Sequence, residues 1–180
     1  MGARIVGDKS PNDLSYFEIL FQASLLPDGC KITHLVRDVR YVMRSLSRCT
    51  WHTWRRGNIK VANSWAMMNA NLHALCKDYP VYPLLRDEDL LEQPEEMLGR
   101  MRVPRRWLRG ADAALRTDGL WPQPSAHHAN LGKPLLADRR FAWRNDPERT
   151  ELAAGLVGIE DEVLTLFGYE PRSATVGRAD

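Results

Sequence analysis

Residues 31–46, KITHLVRDVRYVMRSL, join a β-forming run directly to a helix-forming run. Residues 31–36 are compact, largely apolar and bounded by Gly29 and Asp38, which predicts a short buried strand. Asp38 is also placed to cap the free amides of a following helix, in which apolar residues recur at helical spacing. The apolar stripe of that helix consists of Val39, Val42, Met43 and Leu46.

The alternation of strand and helix continues along the chain. We expect a helix from about residue 59 to residue 79, since one face stays apolar over several turns and Pro80 ends it. Residues 81–86 are the next strand candidate. Pro94 suits the first turn of a short helix that follows.

The last predicted element is a single helix near the C-terminus. Asn145 or Asp146 caps it, Pro147 enters its first turn, and Gly168 supplies its C-terminal stop. Its buried stripe consists of Leu152, Leu156, Ile159, Val163 and Leu166. Strands that alternate with helices indicate an α/β layer with parallel strands, and such sheets place ligands beyond the carboxyl ends of their strands.

The 180 residues are 44% hydrophobic and 27% charged, as expected for one globular domain, which we place at residues 1–172 before a mobile tail at 173–180. The net charge of +2 gives no general case for nucleic-acid binding, so phosphate recognition depends on individually placed arginines. The three cysteines show no C-x-x-C spacing, and no apolar run approaches the roughly 20 residues that span a bilayer. We therefore expect a cytoplasmic protein without a membrane span.

Arg37 stands at the carboxyl end of the predicted strand, and Ser45 follows eight residues later in the second turn of the predicted helix. Ser45 lies at the edge of the apolar stripe, so its hydroxyl need not be buried. A guanidinium matches phosphate oxygens with a planar fork, and a serine hydroxyl adds a further donor. The spacing predicts that both side chains face one anion. For Arg37 and Asp38 alone, the alternative is a surface ion pair that caps a helix.

The segment His34-Leu35-Val36-Arg37-Asp38-Val39-Arg40, with Ser45, resembles the 3′-phosphate-binding segment of the sulfotransferases that use 3′-phosphoadenosine 5′-phosphosulfate. In that family the segment is R-D-P-R with a serine eight residues after the first arginine, and Val39 stands here in place of the proline. The resemblance implies that Arg37 and Ser45 bind the 3′-phosphate of the nucleotide sulfonate donor.

Further stretches resemble the same family, in the same order, over nearly the whole chain. Asp8-Lys9-Ser10-Pro11 is similar to its E-K-[ST]-P turn. Residues 85–91 are similar to its R-Y-E-D-L segment, with Asp87 in place of the tyrosine. Residues 141–144 and 167–170 are similar to the R-W-R…G-Y-E ending of bacterial members.

The resemblance implies a partial P-loop-like, three-layer α/β fold with a short parallel sheet flanked by helices. It also implies transfer of a sulfonate group from 3′-phosphoadenosine 5′-phosphosulfate to a hydroxyl or amine of a small-molecule or glycan acceptor, without a metal. Lys9 matches a lysine that lies near the donor–acceptor cleft in some branches of the family. A cation there would stabilise the charge that develops during transfer.

The mostly helical spacing of Leu14, Phe17, Ile19, Leu20 and Phe21 predicts a first helix, and residues 6–13 before it are VGDKSPND. The family's N-terminal loop, which holds the 5′-phosphosulfate, has no counterpart there. A phosphate cradle needs a Gly-rich or Thr/Ser-rich turn with a lysine that leads into a helix. We therefore expect an N-terminally incomplete domain that is inactive alone, unless an upstream segment or a protein partner supplies the loop.

Two other functions compete with an active transferase. The first is a truncated, non-catalytic member of the family that binds a nucleotide or a protein. The second is a nucleic-acid-binding module at residues 51–56, WHTWRR, where aromatic and cationic residues interleave. The small net charge favours packing of the two tryptophans, or a loop that faces the acceptor, over nucleic-acid binding there.

Overall fold

The computed structural model describes residues 31–48, 59–78, 82–101, 141–147 and 149–172. The first three ranges form β1 (His34–Val36), α1 (Val39–Ser47), α2 (Ile59–Cys76), β2 (Leu84–Arg86), α3 (Asp87–Glu92) and α4 (Pro94–Arg100). A 3₁₀ turn (Ala142–Asn145) and the helices α5 (Arg149–Ala154) and α6 (Asp161–Leu166) follow. Lys9, the helical spacing at residues 14–21, residues 51–56 and the tail at 173–180 lie outside the described residues.

β1 and β2 pair in parallel, which confirms the predicted α/β layer with parallel strands. In the register, Val36 lies opposite Arg86. Pro83, which precedes β2, has no amide hydrogen, but its carbonyl takes part in the pairing and accepts the His34 backbone N–H at 3.1 Å. Each strand has 3 residues, so both are shorter than the predicted strands at residues 31–36 and 81–86.

The predicted helix that leaves β1 is confirmed as α1. The Asp38 carboxylate accepts the Arg40 backbone N–H at 2.9 Å, so Asp38 is the N-cap. Val39 of its first turn is fully buried in the core. α2 and α4 also match predicted helices, since α2 begins at Ile59 and α4 has Pro94 in its first turn.

The prediction of one continuous C-terminal helix is wrong, because α5 and α6 are separate helices. The turn between them contains Gly155 and Gly158, and each glycine disfavours a helix by about 1 kcal/mol relative to alanine. Leu166 belonged to the predicted buried stripe and is 47% exposed. Four other apolar residues of this region are buried, so their spacing reflects packing into a core rather than one helix. They are Leu152, Leu156, Ile159 and Leu164.

The predicted stop at Gly168 is confirmed. Gly168 has a φ of +72°, and its N–H donates to the Thr165 carbonyl at 2.9 Å. The Tyr169 N–H donates to the Leu164 carbonyl, also at 2.9 Å. These two bonds form a Schellman motif, in which the left-handed position favours glycine. The turn directs Tyr169 back into the protein, where the residue is buried.

A hydrophobic core joins β1, α1, α2 and the C-terminal helices. Trp65 of α2 packs edge-on against Phe167 at 5.6 Å and against Tyr169 at 6.2 Å between ring centres. A smaller cluster contains Ile32 and Cys76. Among the helices of the described ranges, none has the length and apolar character needed to cross a membrane.

Candidate anion-binding site

Two residues of opposite charge directly follow the two paired strands. Because Val36 lies opposite Arg86 in a parallel register, the next residues, Arg37 and Asp87, emerge side by side at the carboxyl ends of β1 and β2. Adjacent strands lie about 4.8 Å apart, a gap that these side chains span. Arg37 Nη1 lies 3.1 Å from Asp87 Oδ2. This edge is where α/β sheets bind their ligands.

Two contacts hold Arg37 in place. Its carbonyl accepts the Trp65 indole N–H at 2.9 Å, and its guanidinium carbon lies 3.4 Å from the centre of the Tyr41 ring. A guanidinium stacked on an aromatic ring keeps its in-plane donors available. The Arg37 side chain is 30% exposed, and its buried Nε finds no hydrogen-bond partner in the described part of the chain. Arg37 therefore keeps donor capacity beyond its contact with Asp87.

Ser45 lies on the exposed surface of α1. Tyr41 and Ser45 are four positions apart on this helix, so they are neighbours on one of its faces. Since the Arg37 guanidinium stacks on Tyr41, the three residues form one row along the helix. The two predicted site residues thus share a side of α1, with Tyr41 between them.

Two further arginines of α1 and its C-cap flank this row, and the sequence analysis missed them. Arg44 Nε and Arg48 Nη2 lie 2.5 and 3.0 Å from the same oxygen of Asp146, Oδ2. The Asp146 side chain is fully buried, whereas that of Arg48 is 48% exposed. The Arg44 guanidinium carbon is also 6.0 Å from the centre of the Tyr41 ring. Two cations that share one carboxylate leave this face of α1 positive. In the sequence, the signal for this pair was the spacing of Arg44 and Arg48 by four positions, which places them on one helix face.

The acidic residue after Asp87 has a structural role. Glu88 is buried; its Oε1 accepts the Asp38 backbone N–H at 3.0 Å and its Oε2 accepts the Tyr169 hydroxyl at 3.0 Å. Burial raises the pKa of Glu88, although both donors favour the ionised form. Because both oxygens are occupied by groups of the fold, Glu88 ties β2 and α3 to the start of α1 and to the C-terminal segment.

The N-terminus of α1 is closed to an external anion by its own cap. The Asp38 carboxylate accepts the Arg40 backbone N–H and also binds the Arg40 side chain, with Nε–Oδ1 and Nη2–Oδ2 both at 2.8 Å. Asp38 and Arg40 are both buried, and the Arg40 guanidinium lies over Trp143. The Asp38 and Arg40 amides are thus already used, which favours side chains as the donors to an anion at this edge.

A second polar cluster is buried at the amino end of β1. The Asn69 amide nitrogen donates to the Trp65 carbonyl at 2.7 Å, so Asn69 Oδ1 accepts from His34 Nε2 at 2.8 Å. His34 Nδ1 then accepts from the Tyr82 hydroxyl at 2.5 Å. Burial lowers the pKa of His34, and this effect exceeds the opposite effect of the Asn69 bond. Both ring nitrogens are occupied, so this cluster stabilises the fold and is separate from Arg37.

Segments that resemble the sulfotransferases contact one another in the structure. Arg86 Nη1 donates to the Gly168 carbonyl at 2.7 Å, and Arg86 also binds Asp89 through Nε and Nη2. Arg144 Nη2 lies 2.5 Å from Glu170 Oε1. These arginines are therefore engaged in contacts between segments of the fold.

Comparison of the chain with protein-family models, curated proteins and solved structures found no match. Within the described ranges, no group of three or more His, Cys, Asp or Glu side chains is arranged to hold a metal ion. The sulfotransferase resemblance thus stays a prediction from the sequence, and the function has to be inferred from the site itself.

Proposed function

We propose that this chain binds the 3′-phosphate of 3′-phosphoadenosine 5′-phosphosulfate through Arg37 and Ser45 and functions as a sulfotransferase-type protein. The observation that carries the proposal is the state of Arg37. It follows a parallel strand at the carboxyl edge of the sheet, its guanidinium is stacked on Tyr41, and its Nε has no hydrogen-bond partner among the described residues.

The chemistry of this edge favours a phosphate monoester over a smaller or less charged anion. The Asp38 and Arg40 backbone amides are already used, so the ligand has to reach side-chain donors on the outer row of α1. Arg37 offers a planar fork, and Ser45 offers a hydroxyl further along the same row. A group with three terminal oxygens can accept from both.

The surroundings of the row add long-range attraction. Arg44 and Arg48 share the carboxylate of Asp146 and leave one positive charge uncompensated in that group. Such charge raises the local concentration of an anionic nucleotide and its association rate, and salt weakens both effects. Tyr41 presents an aromatic ring between the two proposed phosphate ligands.

In the proposed reaction, an acceptor oxygen or nitrogen bonds to the sulfur of the donor while the bond from sulfur to the bridging oxygen of the 5′-phosphate breaks. 3′-Phosphoadenosine 5′-phosphate leaves with the bonding electron pair, and the acceptor's proton passes to water. Arg37 and Ser45 would fix the far end of the nucleotide, so that acceptor, sulfur and leaving phosphate stay aligned. Lys9, outside the described residues, is proposed as the cation that stabilises charge on the transferred group. The acceptor is a hydroxyl or amine of a small molecule or glycan.

A second candidate function is nucleotide binding without turnover. Asp87 favours it, because this carboxylate contacts Arg37 and stands where the sulfotransferases have a tyrosine. The two candidates share the nucleotide site and differ in catalysis. Incubation with radiolabelled donor and a panel of hydroxyl and amine acceptors tests for transfer. Labelled acceptor would refute the second candidate, whereas tight binding without labelled product is expected both of the second candidate and of a transferase whose 5′-phosphosulfate loop is supplied by another segment.

The first test is calorimetric titration with 3′-phosphoadenosine 5′-phosphate and with adenosine 5′-phosphate. The doubly phosphorylated nucleotide is expected to bind more tightly, and Arg37→Ala is expected to remove that preference. Hydrogen bonds to a charged group contribute about 1.5–3 kcal/mol, which corresponds to roughly 10- to 100-fold in affinity.

Arg172→Ala is a matched control, because Arg172 is an arginine whose side chain donates to the Val157 carbonyl in the turn between α5 and α6. It should leave the preference unchanged. Equal affinity of the wild-type chain for the two nucleotides would refute the assignment of the 3′-phosphate to this site.

A further inference from the structure

We propose that Asp87 is an internal competitor for the anion at Arg37 and thereby sets the affinity of the site. This inference rests on the proposed function, since it concerns the same guanidinium. It assigns to Asp87 a task that its neighbours in the acidic run 87–89 do not have. Asp87 determines how strongly an external phosphate must bind to Arg37 in order to displace the Asp87 carboxylate.

The contact between Arg37 and Asp87 follows from the register of the sheet. Val36 lies opposite Arg86, so the residues that follow each strand are held next to each other whatever ligand is present. A carboxylate is therefore always within reach of the guanidinium. Any anion that binds Arg37 meets a like charge at its side, and like charges in close contact oppose binding.

The geometry of the ion pair also allows an external phosphate to replace Asp87 at Arg37. Asp87 Oδ2 lies 3.1 Å from Arg37 Nη1, yet this buried oxygen has no contact of hydrogen-bond geometry in the described part of the chain. By contrast, Arg86 binds Asp89 with two hydrogen bonds, at 2.8 and 2.5 Å. Bidentate, aligned pairs are the strong ones. A phosphate that forms aligned bonds with Arg37 thus replaces a poorly aligned contact.

The neighbouring acidic side chains are already engaged elsewhere. Glu88 accepts from the Tyr169 hydroxyl and from a backbone amide, and Asp89 binds Arg86. Asp87 is the member of this run that contacts Arg37. Its side chain is 21% exposed, which leaves it room to turn towards solvent when phosphate enters.

The test compares binding of 3′-phosphoadenosine 5′-phosphate to the full chain and to Asp87→Asn, which keeps the shape of the side chain and removes its charge. The variant is expected to bind roughly 2- to 5-fold more tightly, the scale of one partly exposed charge pair. Glu95→Gln is the charge-matched control, since Glu95 is an exposed residue in the first turn of α4, and it should not change affinity. Asp87→Ser serves as a second variant if the asparagine protein does not fold.

The double variant Arg37→Ala/Asp87→Asn shows whether the gain acts through Arg37. Loss of the gain in the double variant supports the inference, and a gain that persists there overturns it. Equal or weaker binding by Asp87→Asn overturns the inference while the proposed site stands, provided that Arg37→Ala weakens the wild-type chain. Binding by neither the wild-type chain nor Asp87→Asn overturns both.

Discussion

Replacement of Tyr169 by phenylalanine tests how the site edge is supported. The change removes one hydroxyl, which donates to Glu88 Oε2 at 3.0 Å. Glu88 is 1% exposed, so water cannot replace the lost donor without a local opening. Because the ring itself stays, the cost is that of one hydrogen bond to a buried carboxylate and no cavity is created.

Hydrogen bonds to charged groups contribute about 1.5–3 kcal/mol, and an unsatisfied buried acceptor lies at the same scale. We therefore expect Tyr169→Phe to lower the free energy of unfolding by about 2 kcal/mol at a pH where Glu88 is ionised. With a urea dependence of about 2 kcal/mol per molar for a domain of this size, the unfolding midpoint falls by about 1 M. Urea unfolding followed by far-ultraviolet circular dichroism measures this shift.

The penalty is expected to depend on pH in a defined direction. Burial raises the pKa of Glu88 from its ordinary value of 4.5, so its contribution to stability is present below pH 4.5 and is lost as pH rises through the folded-state pKa. The Tyr169 hydroxyl favours the ionised carboxylate, and its removal raises the folded-state pKa of Glu88 further. The cost of Tyr169→Phe should therefore be small near about pH 4 and reach its full value above the folded-state pKa of Glu88.

Glu88→Gln provides the control, because its amide oxygen still accepts the Asp38 N–H while the charge is gone. In the Glu88→Gln background, the cost of Tyr169→Phe should no longer vary with pH. A penalty that stays below about 0.5 kcal/mol, or that does not increase as pH rises from about 4 through the folded-state pKa of Glu88, would show that Tyr169 does not support a buried carboxylate.

Two further outcomes are expected. Burial lowers the pKa of His34 below 6.5, so the stability that His34 contributes is present above pH 6.5 and is lost as pH falls towards the folded-state pKa. In NMR, the ring signals of His34 should titrate below 6.5. A midpoint at or above 6.5 would contradict its burial. Gly168→Ala places a side chain at φ +72° beside Arg86 and should lower the free energy of unfolding, measured with urea, by about 1–2 kcal/mol. Gly99→Ala, in an open helical position, is the control and should stabilise the protein slightly. Equal effects of the two substitutions would argue against the left-handed turn.

Much of the local structure near the site could be predicted from residues that are close in sequence. The period of the apolar residues in α1, the cap at Asp38 and the stop at Gly168 are all decided within a few positions, and the structure confirms each of them. The parallel α/β character followed from the alternation of elements. The prediction of one continuous C-terminal helix was wrong because the spacing of apolar residues does not reveal the break at Gly155 and Gly158.

The partners of the candidate site residues required the tertiary structure. Asp38 and Glu88 are 50 positions apart, and Arg44 and Asp146 are 102 positions apart, so no local pattern connects them. The sequence by itself determined that an arginine ends a strand and that an acidic run follows the next one. Only the parallel register, with Val36 opposite Arg86, decided that Arg37 meets Asp87. Strand pairing joins segments that are distant in sequence, and its register is set by which side chains the whole fold buries.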